Sequence, residues 1–276
     1  MNYKVKDNRI ELERPSCFEL KNTLLCGQAF RWRETGDGIF TGTVRGRTLT
    51  LFREGEKIVF LGTDEKDFLD IWVPYFDLER DYVKITDGFR EDKYISEALD
   101  SFYGIRILHQ EPWEALCSFI ISQNNNIPRI CGIIDRLCIS FGEKNSQGEY
   151  SFPTAEKIAS LSPEALAPLR AGFRNKYILD AAKKIAGGEI LIEEIKNMPI
   201  EAARSELMKI KGVGPKVAEC ALLYGFGRLE AFPVDVWVKR IMAELYGEKL
   251  PDCTKGYEGV AQQYLFHWRR NRTEEE

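Results

Sequence analysis

The chain has 276 residues, of which 44% are hydrophobic and 30% are charged, and this is enough for a large core or for two domains. The formal net charge of −4 argues weakly against an obligate nucleic-acid binder, although basic residues outnumber acidic ones between residues 204 and 272. The start, MNYKVKDNRIELE, lacks the apolar core of a signal peptide, and no segment approaches the roughly 18 apolar residues of a membrane span. We therefore expect a soluble intracellular protein with no membrane contact, and because no nuclear import signal is evident, we expect a bacterial or archaeal cytoplasm.

The cysteines indicate a reducing compartment. There are seven, an odd number, and most lie within apolar segments of helical pattern, which is typical of reduced thiols rather than of a disulfide framework. No Cys-x-x-Cys pair occurs, and the chain has only two histidines, His109 and His267. We therefore expect neither a structural zinc nor an iron–sulfur cluster.

The first part of the chain has the pattern of β-strands. The segment GIFTGTVRGRTLTLFREGEKIVFLG alternates β-branched or aromatic residues with polar ones, and Arg-Gly-Arg and Glu-Gly-Glu are plausible turns. Short helices follow from residue 63, and helical patterns dominate from about Lys93. The sequence thus predicts an α+β fold in which an antiparallel twisted sheet domain (residues 1–95) precedes a mostly helical domain (96–272) and an acidic tail (273–276).

Several helix starts are marked by their capping residues. Pro112 follows Glu111 at the beginning of EPWEALCSFIIS, and Pro163 follows Ser162 in the same way. Asp235 precedes VWVKRIMAELYG and suits the N-cap position. The pattern also predicts a last helix over about 257–270.

The segment KIKGVGPKVAEC (209–220) places two glycines and a proline directly before a helical pattern, and it predicts a helix–hairpin–helix at about 204–226. Gly212 and Gly214 would let backbone N–H groups approach a phosphate closely, and the next helix N-terminus adds positive charge. Lys216 falls in that helix's first turn, where a carboxylate would be stabilising. This position disfavours the protonated amine and so favours reactivity. The plain alternative is a packing corner with a solvated lysine.

These residues resemble the helix–hairpin–helix Gly/Pro-Asp superfamily of base-excision DNA glycosylases, and within it the 8-oxoguanine DNA glycosylases. The hairpin motif alone is a moderately specific sign of this family, but five matching stretches in the same order are a strong one. The stretches are IKGVGPKVAEC with FPVDVWVKRI, GQAFRW (27–32), SQNNNIPRI (122–130), GFRNKY (172–177) and AQQYLF (261–266). The resemblance implies a bifunctional DNA glycosylase/AP lyase that excises 8-oxoguanine, preferably opposite cytosine, in base-excision repair.

The resemblance implies that Lys216 is the nucleophile that attacks C1′ of the damaged nucleotide, expels the base and leaves a Schiff base. A lysine nucleophile needs an environment that favours the neutral amine, and a helix N-terminus acts in that direction. Asp235 would stabilise positive charge on the sugar or orient Lys216, while also capping its own helix.

The resemblance also implies a base pocket. 8-Oxoguanine carries an N7–H donor where guanine has an acceptor, so one backbone carbonyl at Gly27 would distinguish the two bases. Gln262 would read the Watson–Crick edge, and Phe266 and the Cys220 sulfur would sandwich the ring. Taken singly, Phe266 and Cys220 would more often be core residues.

The flipped base leaves an unpaired cytosine, for which NNNIPRI and GFRNKY supply candidates by resemblance. Asn124 would fill the gap, Arg129 and Arg174 would donate to cytosine, and Phe173 would wedge beside it. An asparagine run is otherwise an ordinary loop. In two departures from the family pattern, Phe173 replaces a more usual tyrosine, and Trp237 stands where histidine is frequent. The Trp237 indole N–H could still donate to a phosphate.

The resemblance implies no required cofactor, and only Cys253 follows Asp235, so the iron–sulfur branch of the superfamily is excluded. Family members often hold a monovalent cation on hairpin carbonyls, and the matching positions are Met208, Ile210 and Val213. The expected partner is double-stranded DNA, and the expected state is a monomer.

Three alternatives stay open at this level. A related glycosylase could act on alkylated purines, although such relatives usually lack the lysine. A non-catalytic helix–hairpin–helix protein could use KGVGPK as a phosphate clamp alone. A thiol enzyme built on Cys220 would need a histidine partner, and none is apparent from the sequence.

Overall fold

The computed structural model describes residues 1–272, so the predicted acidic tail at 273–276 lies outside the described residues. The described residues form one six-stranded antiparallel sheet in the order β1-β2-β6-β5-β4-β3, with one short helix between its second and third strands and the other helices after it. The α+β fold class is therefore confirmed. The strands are β1 (Tyr3–Lys6), β2 (Arg9–Glu13), β3 (Trp32–Gly36), β4 (Ile39–Val44), β5 (Arg47–Glu54) and β6 (Lys57–Leu61).

The sequence predicts β4 to β6 and both of their turns correctly. Arg45 and Gly46 have φ values of 48° and 75°, as the two central residues of a tight hairpin turn require. In the pairing of β2 with β6, Ile10 lies opposite Phe60 and Leu12 opposite Ile58. All four side chains are buried, so the period-two pattern of each strand provides one apolar face.

The rest of the described chain is mostly helical. Two segments have π-helical hydrogen bonding (Phe68–Trp72 and Met242–Tyr246), and two are short 3-10 helices (Pro163–Leu169 and Asp252–Thr254). The α-helices are α1 (Leu20–Leu24), α2 (Glu65–Asp67), α3 (Val73–Tyr75), α4 (Tyr82–Phe89), α5 (Lys93–Phe102), α6 (Pro112–Ser122), α7 (Ile127–Phe141), α8 (Ala155–Ala159), α9 (Arg174–Ala186), α10 (Ile192–Ile195), α11 (Ile200–Leu207), α12 (Pro215–Phe226), α13 (Val236–Ile241) and α14 (Glu258–Arg272).

The predicted helix starts agree with the structure. Glu111 caps α6 and accepts a hydrogen bond from Glu114 N, and Ser162 begins the 3-10 helix at Pro163. No helix within residues 1–272 is long and apolar enough to cross a membrane. All seven cysteines lie within the described residues, and none of them forms a disulfide.

The chain forms two compact units. Of the described residues, the first unit comprises 1–41, 49–109 and 229–272, and the second comprises 42–48 and 110–228. The first unit therefore includes most of the sheet together with the C-terminal helices α13 and α14. The predicted domain boundary at residues 95–96 stays a prediction.

The first unit has an aromatic core. Trp72 and Phe76 are fully buried, and their rings lie 6.3 Å apart. Tyr264 of α14 is also fully buried, and its hydroxyl accepts from Ile105 N at 3.0 Å and donates to Ile105 O at 3.2 Å. Because a buried hydroxyl without partners would be costly, this pair of bonds fixes α14 within its unit.

In the second unit, α12 packs along α6. The Phe119 ring of α6 stacks on Tyr224 of α12, and a Cβ added to Gly225 of α12 would lie 3.1 Å from the Ala115 Cβ of α6. Nearly every residue of α12 after Lys216 is buried, which explains why its sequence reads as apolar around the whole helix. The first turn of α12 is thereby held on a rigid support.

Candidate active site

The hairpin between α11 and α12 lies within the second unit. Gly212 has a φ of 81°, and a Cβ added to it would overlap the Tyr177 ring. Gly214 has an extended backbone, and a Cβ there would meet nothing within 4 Å. Gly212 is therefore required by the fold, whereas Gly214 leaves open space in front of the helix N-terminus.

Two further contacts hold this hairpin. Lys211 N donates to Asp180 Oδ2 at 2.7 Å, and Val213 N donates to Ile210 O at 3.0 Å. Ile210 and Val213 are buried, whereas Met208 is 40% exposed. The hairpin conformation is thus fixed by the protein itself. At the start of α12, Ala218 N donates to Gly214 O at 3.0 Å, and the N–H groups of Lys216 and Val217 have no helical acceptor before them.

Lys216 occupies the second position of α12, after Pro215. Its Nζ donates to Ser122 Oγ at 3.2 Å and lies 5.2 Å from the centroid of the Phe119 ring. The Phe119 ring in turn stacks on Tyr224, with centroids 5.1 Å apart and an interplanar angle of 19°. Lys216 is thus a half-buried amine in a fixed position, and not a solvated surface lysine.

Sequence reasoning missed Ser122 and Phe119 as neighbours of Lys216. Ser122 Oγ donates to Phe119 O at 2.8 Å, so its lone pairs are the groups that face Lys216 Nζ. The hydroxyl and the ring face are therefore the groups that hold the Lys216 amine in place at the helix N-terminus. Ser122 stands inside the stretch SQNNNIPRI, but no sequence signal marks this long-range contact.

Cys220 lies one helical turn after Lys216, on the same face of α12. Its side chain is 3% exposed. This burial agrees with a role as an apolar wall and leaves no support for a thiol enzyme built on Cys220.

The loop before α7 holds Asn124 in an unusual backbone conformation. Its φ is 46°, which is uncommon for a residue other than glycine. The Arg174 guanidinium, which is only 3% exposed, donates to Gln123 O through Nε at 2.9 Å and to Asn124 O through Nη2 at 2.8 Å. Arg174 therefore fixes the exposed Asn124 loop from inside the protein.

Arg129 and Phe173 lie on the surface near this loop. Phe173 is 47% exposed although it is a large apolar residue, and its ring centroid lies 4.5 Å from the Arg174 guanidinium carbon. Arg129 is exposed as well, and burial, followed by the charge of Arg129, lowers the pKa of Arg174. Asn124, Arg129, Phe173 and Arg174 are therefore neighbours, and their roles at an unpaired base stay a prediction.

Asp235 lies in the first unit and caps α13, as the sequence predicts. Its Oδ1 accepts from Val238 N at 2.8 Å, while Oδ2 has no hydrogen-bond partner within residues 1–272. Trp237, in the first turn of α13, is half-buried and its ring centroid lies 5.2 Å from the Arg240 guanidinium carbon. One carboxylate oxygen thus fixes the helix start and the other is available.

Gln262 and Phe266 lie on one face of α14, also in the first unit. The Gln262 side chain is 4% exposed, yet no described residue donates to its Oε1. Phe266 is half-buried, and its ring centroid lies 5.6 Å from the Arg270 guanidinium carbon. An unpaired buried amide oxygen costs free energy, so its retention points to a ligand that supplies a donor.

Gly27 is held by the residues beside it. Its φ of 95° requires glycine. Gln28, which is fully buried, donates through Nε2 to Thr23 O and Arg106 O, both at 2.8 Å, and accepts from Leu108 N at 2.9 Å. The turn that presents the Gly27 carbonyl is therefore fixed on both sides.

Gly27, Asp235, Trp237, Gln262 and Phe266 all belong to the first unit, and the other predicted site residues belong to the second. Within residues 1–272 there is no group of three or more His, Cys, Asp or Glu residues that could hold a metal ion.

Comparison with known families matches two models along the chain. Residues 10–116 match the N-terminal domain of 8-oxoguanine DNA glycosylase, and residues 117–260 match the HhH-GPD superfamily of base excision DNA repair proteins. Among curated proteins, an N-glycosylase/DNA lyase of Saccharomyces cerevisiae is 34% identical over 261 residues, covering 82% of this chain and 68% of the yeast protein.

Two solved structures resemble the whole chain. The structure of MBOgg1 in complex with a low-affinity DNA ligand is 41% identical, covers 99% of both chains and has a TM-score of 0.93. The Clostridium acetobutylicum 8-oxoguanine glycosylase/lyase, in complex with double-stranded DNA containing cytosine opposite 8-oxoG, is 34% identical, with the same coverage and TM-score.

Proposed function

Because the chain belongs to the 8-oxoguanine DNA glycosylase family of the HhH-GPD superfamily, we propose that it excises 8-oxoguanine paired with cytosine through a covalent intermediate on Lys216. It is an N-glycosylase/DNA lyase. The observation that supports the assignment to Lys216 is its fixed amine at the N-terminus of α12, held by Ser122 and the Phe119 ring.

The proposed reaction begins with attack of the neutral Lys216 amine on C1′ of the flipped nucleotide. The C1′–N9 bond breaks, its electron pair leaves with the base, and the base takes up a proton. Loss of a proton from nitrogen and opening of the sugar ring give a Schiff base. Removal of a C2′ proton then expels the 3′-phosphate, which cuts the strand.

Asp235 would stabilise positive charge on the sugar in this reaction. Its Oδ1 is engaged at the start of α13, which keeps the carboxylate oriented, and Oδ2 has no partner within residues 1–272. A preorganised carboxylate of this kind lowers the barrier because no reorganisation is needed as charge develops.

Gly27, Gln262 and Phe266 would recognise the base. The fixed Gly27 turn would aim its carbonyl at N7–H of the lesion, where guanine would present a repelling acceptor. The Gln262 oxygen would accept from the Watson–Crick edge, which satisfies the buried atom that the free protein leaves unpaired. Phe266, and Cys220 on the other side, would stack on the ring.

Asn124, Arg129, Phe173 and Arg174 would handle the cytosine left behind. Arg129 is the accessible donor, while the Arg174 donors are occupied by the carbonyls of Ala171, Gln123 and Asn124. For Arg174 to donate to cytosine, it would have to exchange some of these bonds. We therefore propose that Arg129 makes most of the direct hydrogen bonds to cytosine and that Arg174 holds Asn124 in position.

The hairpin would bind DNA phosphate through the N–H groups near Gly212 and Gly214. Main-chain carbonyls at Met208, Ile210 and Val213 are neutral oxygen donors that suit a monovalent cation. The Ile210 carbonyl already accepts from Val213 N, which leaves one lone pair for such an ion. A cation there would add positive charge beside the phosphate.

We further propose that the protein acts as a monomer in the cytoplasm.

Single-turnover excision from matched duplexes tests the proposed substrate. The duplexes carry 8-oxoguanine, 3-methyladenine or guanine opposite cytosine, and 8-oxoguanine opposite each other base. We expect the fastest release from 8-oxoguanine opposite cytosine and strand cleavage without added base.

Two outcomes would contradict the proposal. Faster release of 3-methyladenine would identify an alkylated-purine glycosylase, and tight duplex binding with no release of any base would identify a phosphate clamp without catalysis.

Arg129→Ala provides the matched control for recognition of the base opposite the lesion. It should reduce the preference for cytosine while leaving the free energy of unfolding unchanged, since Arg129 is exposed.

A further inference from the structure

A groove of about 350 Å³ lies in the second unit, beside the exposed face of α9 and the beginning of the hairpin. We call it the lysine groove, and its defining residues are Phe173, Lys176, Leu179, Asp180, Lys183 and Lys211. Lys176, Leu179 or Asp180, and Lys183 follow one another at helical spacing, so they form one face of α9. Lys211 comes from the hairpin.

The three lysines of the groove are exposed and carry uncompensated charge. None of Lys176, Lys183 and Lys211 forms an ion pair within the described part of the chain. Elsewhere, lysines such as Lys66 and Lys209 pair with Asp70 and Glu206. Unpaired cations gathered on one concave surface are the electrostatic signature of an anion site.

Asp180 does not neutralise this surface. Its Oδ2 accepts a hydrogen bond from Lys211 N at 2.7 Å and forms an ion pair at 3.7 Å with Nζ of Lys184, which does not belong to the groove. The carboxylate therefore links α9 to the hairpin, and it forms no ion pair with the side chains of Lys176, Lys183 or Lys211.

The length of the groove favours a chain of phosphates over a single small anion. Lys176 and Lys183 are seven residues apart, which corresponds to about 10 Å along a helix. One DNA strand advances about 3.4 Å along the helix axis per phosphate, and successive phosphates lie farther apart than this along the strand itself. The distance therefore spans more than one phosphate and at most about three. The groove also runs from Phe173, the proposed wedge, to the hairpin.

We propose that the lysine groove binds the sugar–phosphate backbone of one DNA strand, as an extension of the hairpin contact. This rests on the proposed function, because it takes the hairpin and Phe173 to be DNA-facing. The groove would supply sequence-independent affinity through counterion release, and it would take no part in the chemistry.

The salt dependence of duplex binding tests this proposal. The dissociation constant of a duplex with a stable abasic-site analogue is measured against salt concentration for the native protein and for Lys176→Gln/Lys183→Gln. Each lost phosphate contact should reduce the slope of log K against log salt by about 0.9, so the double variant should lose nearly 2. Single-turnover excision at saturating duplex should stay unchanged.

Lys157→Gln/Lys196→Gln is the matched control, because both lysines are exposed in the same unit and neither lines the groove. It removes the same charge and should change the slope by much less than one. An unchanged slope in the groove variant would overturn the proposal while excision by the native protein still supports the proposed function. Tight binding of inorganic phosphate, lost in the groove variant without a change in slope, would identify a small-anion site instead.

Discussion

The two units prepare for the substrate in different ways. In the second unit the reactive amine of Lys216 already has partners, since Ser122 and the Phe119 ring hold it in place. In the first unit, Gln262 Oε1 is buried without a donor and Asp235 Oδ2 is open. The proposed nucleophile is thus positioned by folding, whereas Gln262 and Asp235, to which we assign other roles in the proposed reaction, keep hydrogen-bonding capacity for a ligand.

This difference has an energetic consequence. A buried unpaired acceptor costs roughly 1–3 kcal/mol, so the first unit gives up stability for recognition. Around Lys216 the second unit gives up little stability, because the contacts of that side chain are satisfied. Substitutions in the first unit should therefore separate stability from activity more sharply than substitutions in the second.

Asp235→Asn should have the largest effect. Asparagine caps a helix about as well as aspartate, so the free energy of unfolding should change little. Loss of the negative charge should slow excision by on the order of 10²-fold or more. Urea unfolding and single-turnover excision are measured together, and excision at the native rate would remove Asp235 from the mechanism.

Gln262→Met should lower the rate of excision without lowering the free energy of unfolding. Methionine has a similar length and needs no partner, so the free energy of unfolding should stay the same or rise. Excision of 8-oxoguanine should fall about 10- to 100-fold, which corresponds to roughly 1–3 kcal/mol of lost recognition. A destabilised variant with full activity would show that Gln262 has a structural role only.

Gly212→Ala tests the rigidity of the second unit, with Gly214→Ala as its control. Alanine at 212 must adopt a φ of 81° and displace the Tyr177 ring, so we expect a loss of roughly 2–4 kcal/mol in unfolding free energy. Alanine at 214 meets nothing within 4 Å and has an extended backbone. It should leave stability unchanged and weaken duplex binding only. Equal losses at both positions would contradict this account of the hairpin.

The pH dependence of stability provides a smaller test within the first unit. Burial lowers the pKa of His267 on α14 to about 4, with a further contribution from Arg270. The folded pKa lies below the unfolded value, so the stabilisation is present above about pH 6.5 and is lost as the pH falls towards 4. When the pH falls from 7 to 5, the free energy of unfolding of the native protein should decrease by about 1–2 kcal/mol more than that of His267→Gln. Parallel curves for the two proteins would show that His267 does not contribute.

The sequence predicts much of this molecule because its signals are local. Glu111, Ser162 and Asp235 mark helix starts, and Arg45 with Gly46 marks a hairpin turn, through hydrogen bonds that span only a few residues. The family and its enzyme class also follow from short stretches, and the comparisons confirm both.

The remaining features depend on contacts between distant residues. Ser122 and Lys216 are 94 positions apart, and no local pattern indicates that they meet. The burial of Arg174 runs against the usual exposure of arginine, and it follows from three carbonyl groups that the fold brings together. The assignments of the site residues to the reaction stay predictions until they are measured.

Reduction of the covalent intermediate tests the central claim most directly. Native protein is mixed with an 8-oxoguanine–cytosine duplex in the presence of borohydride, and the cross-linked peptide is identified by mass spectrometry. The account predicts one adduct, on Lys216, that disappears in Lys216→Gln while the variant still binds the duplex. An adduct on a different lysine, or undiminished trapping in Lys216→Gln, would contradict it.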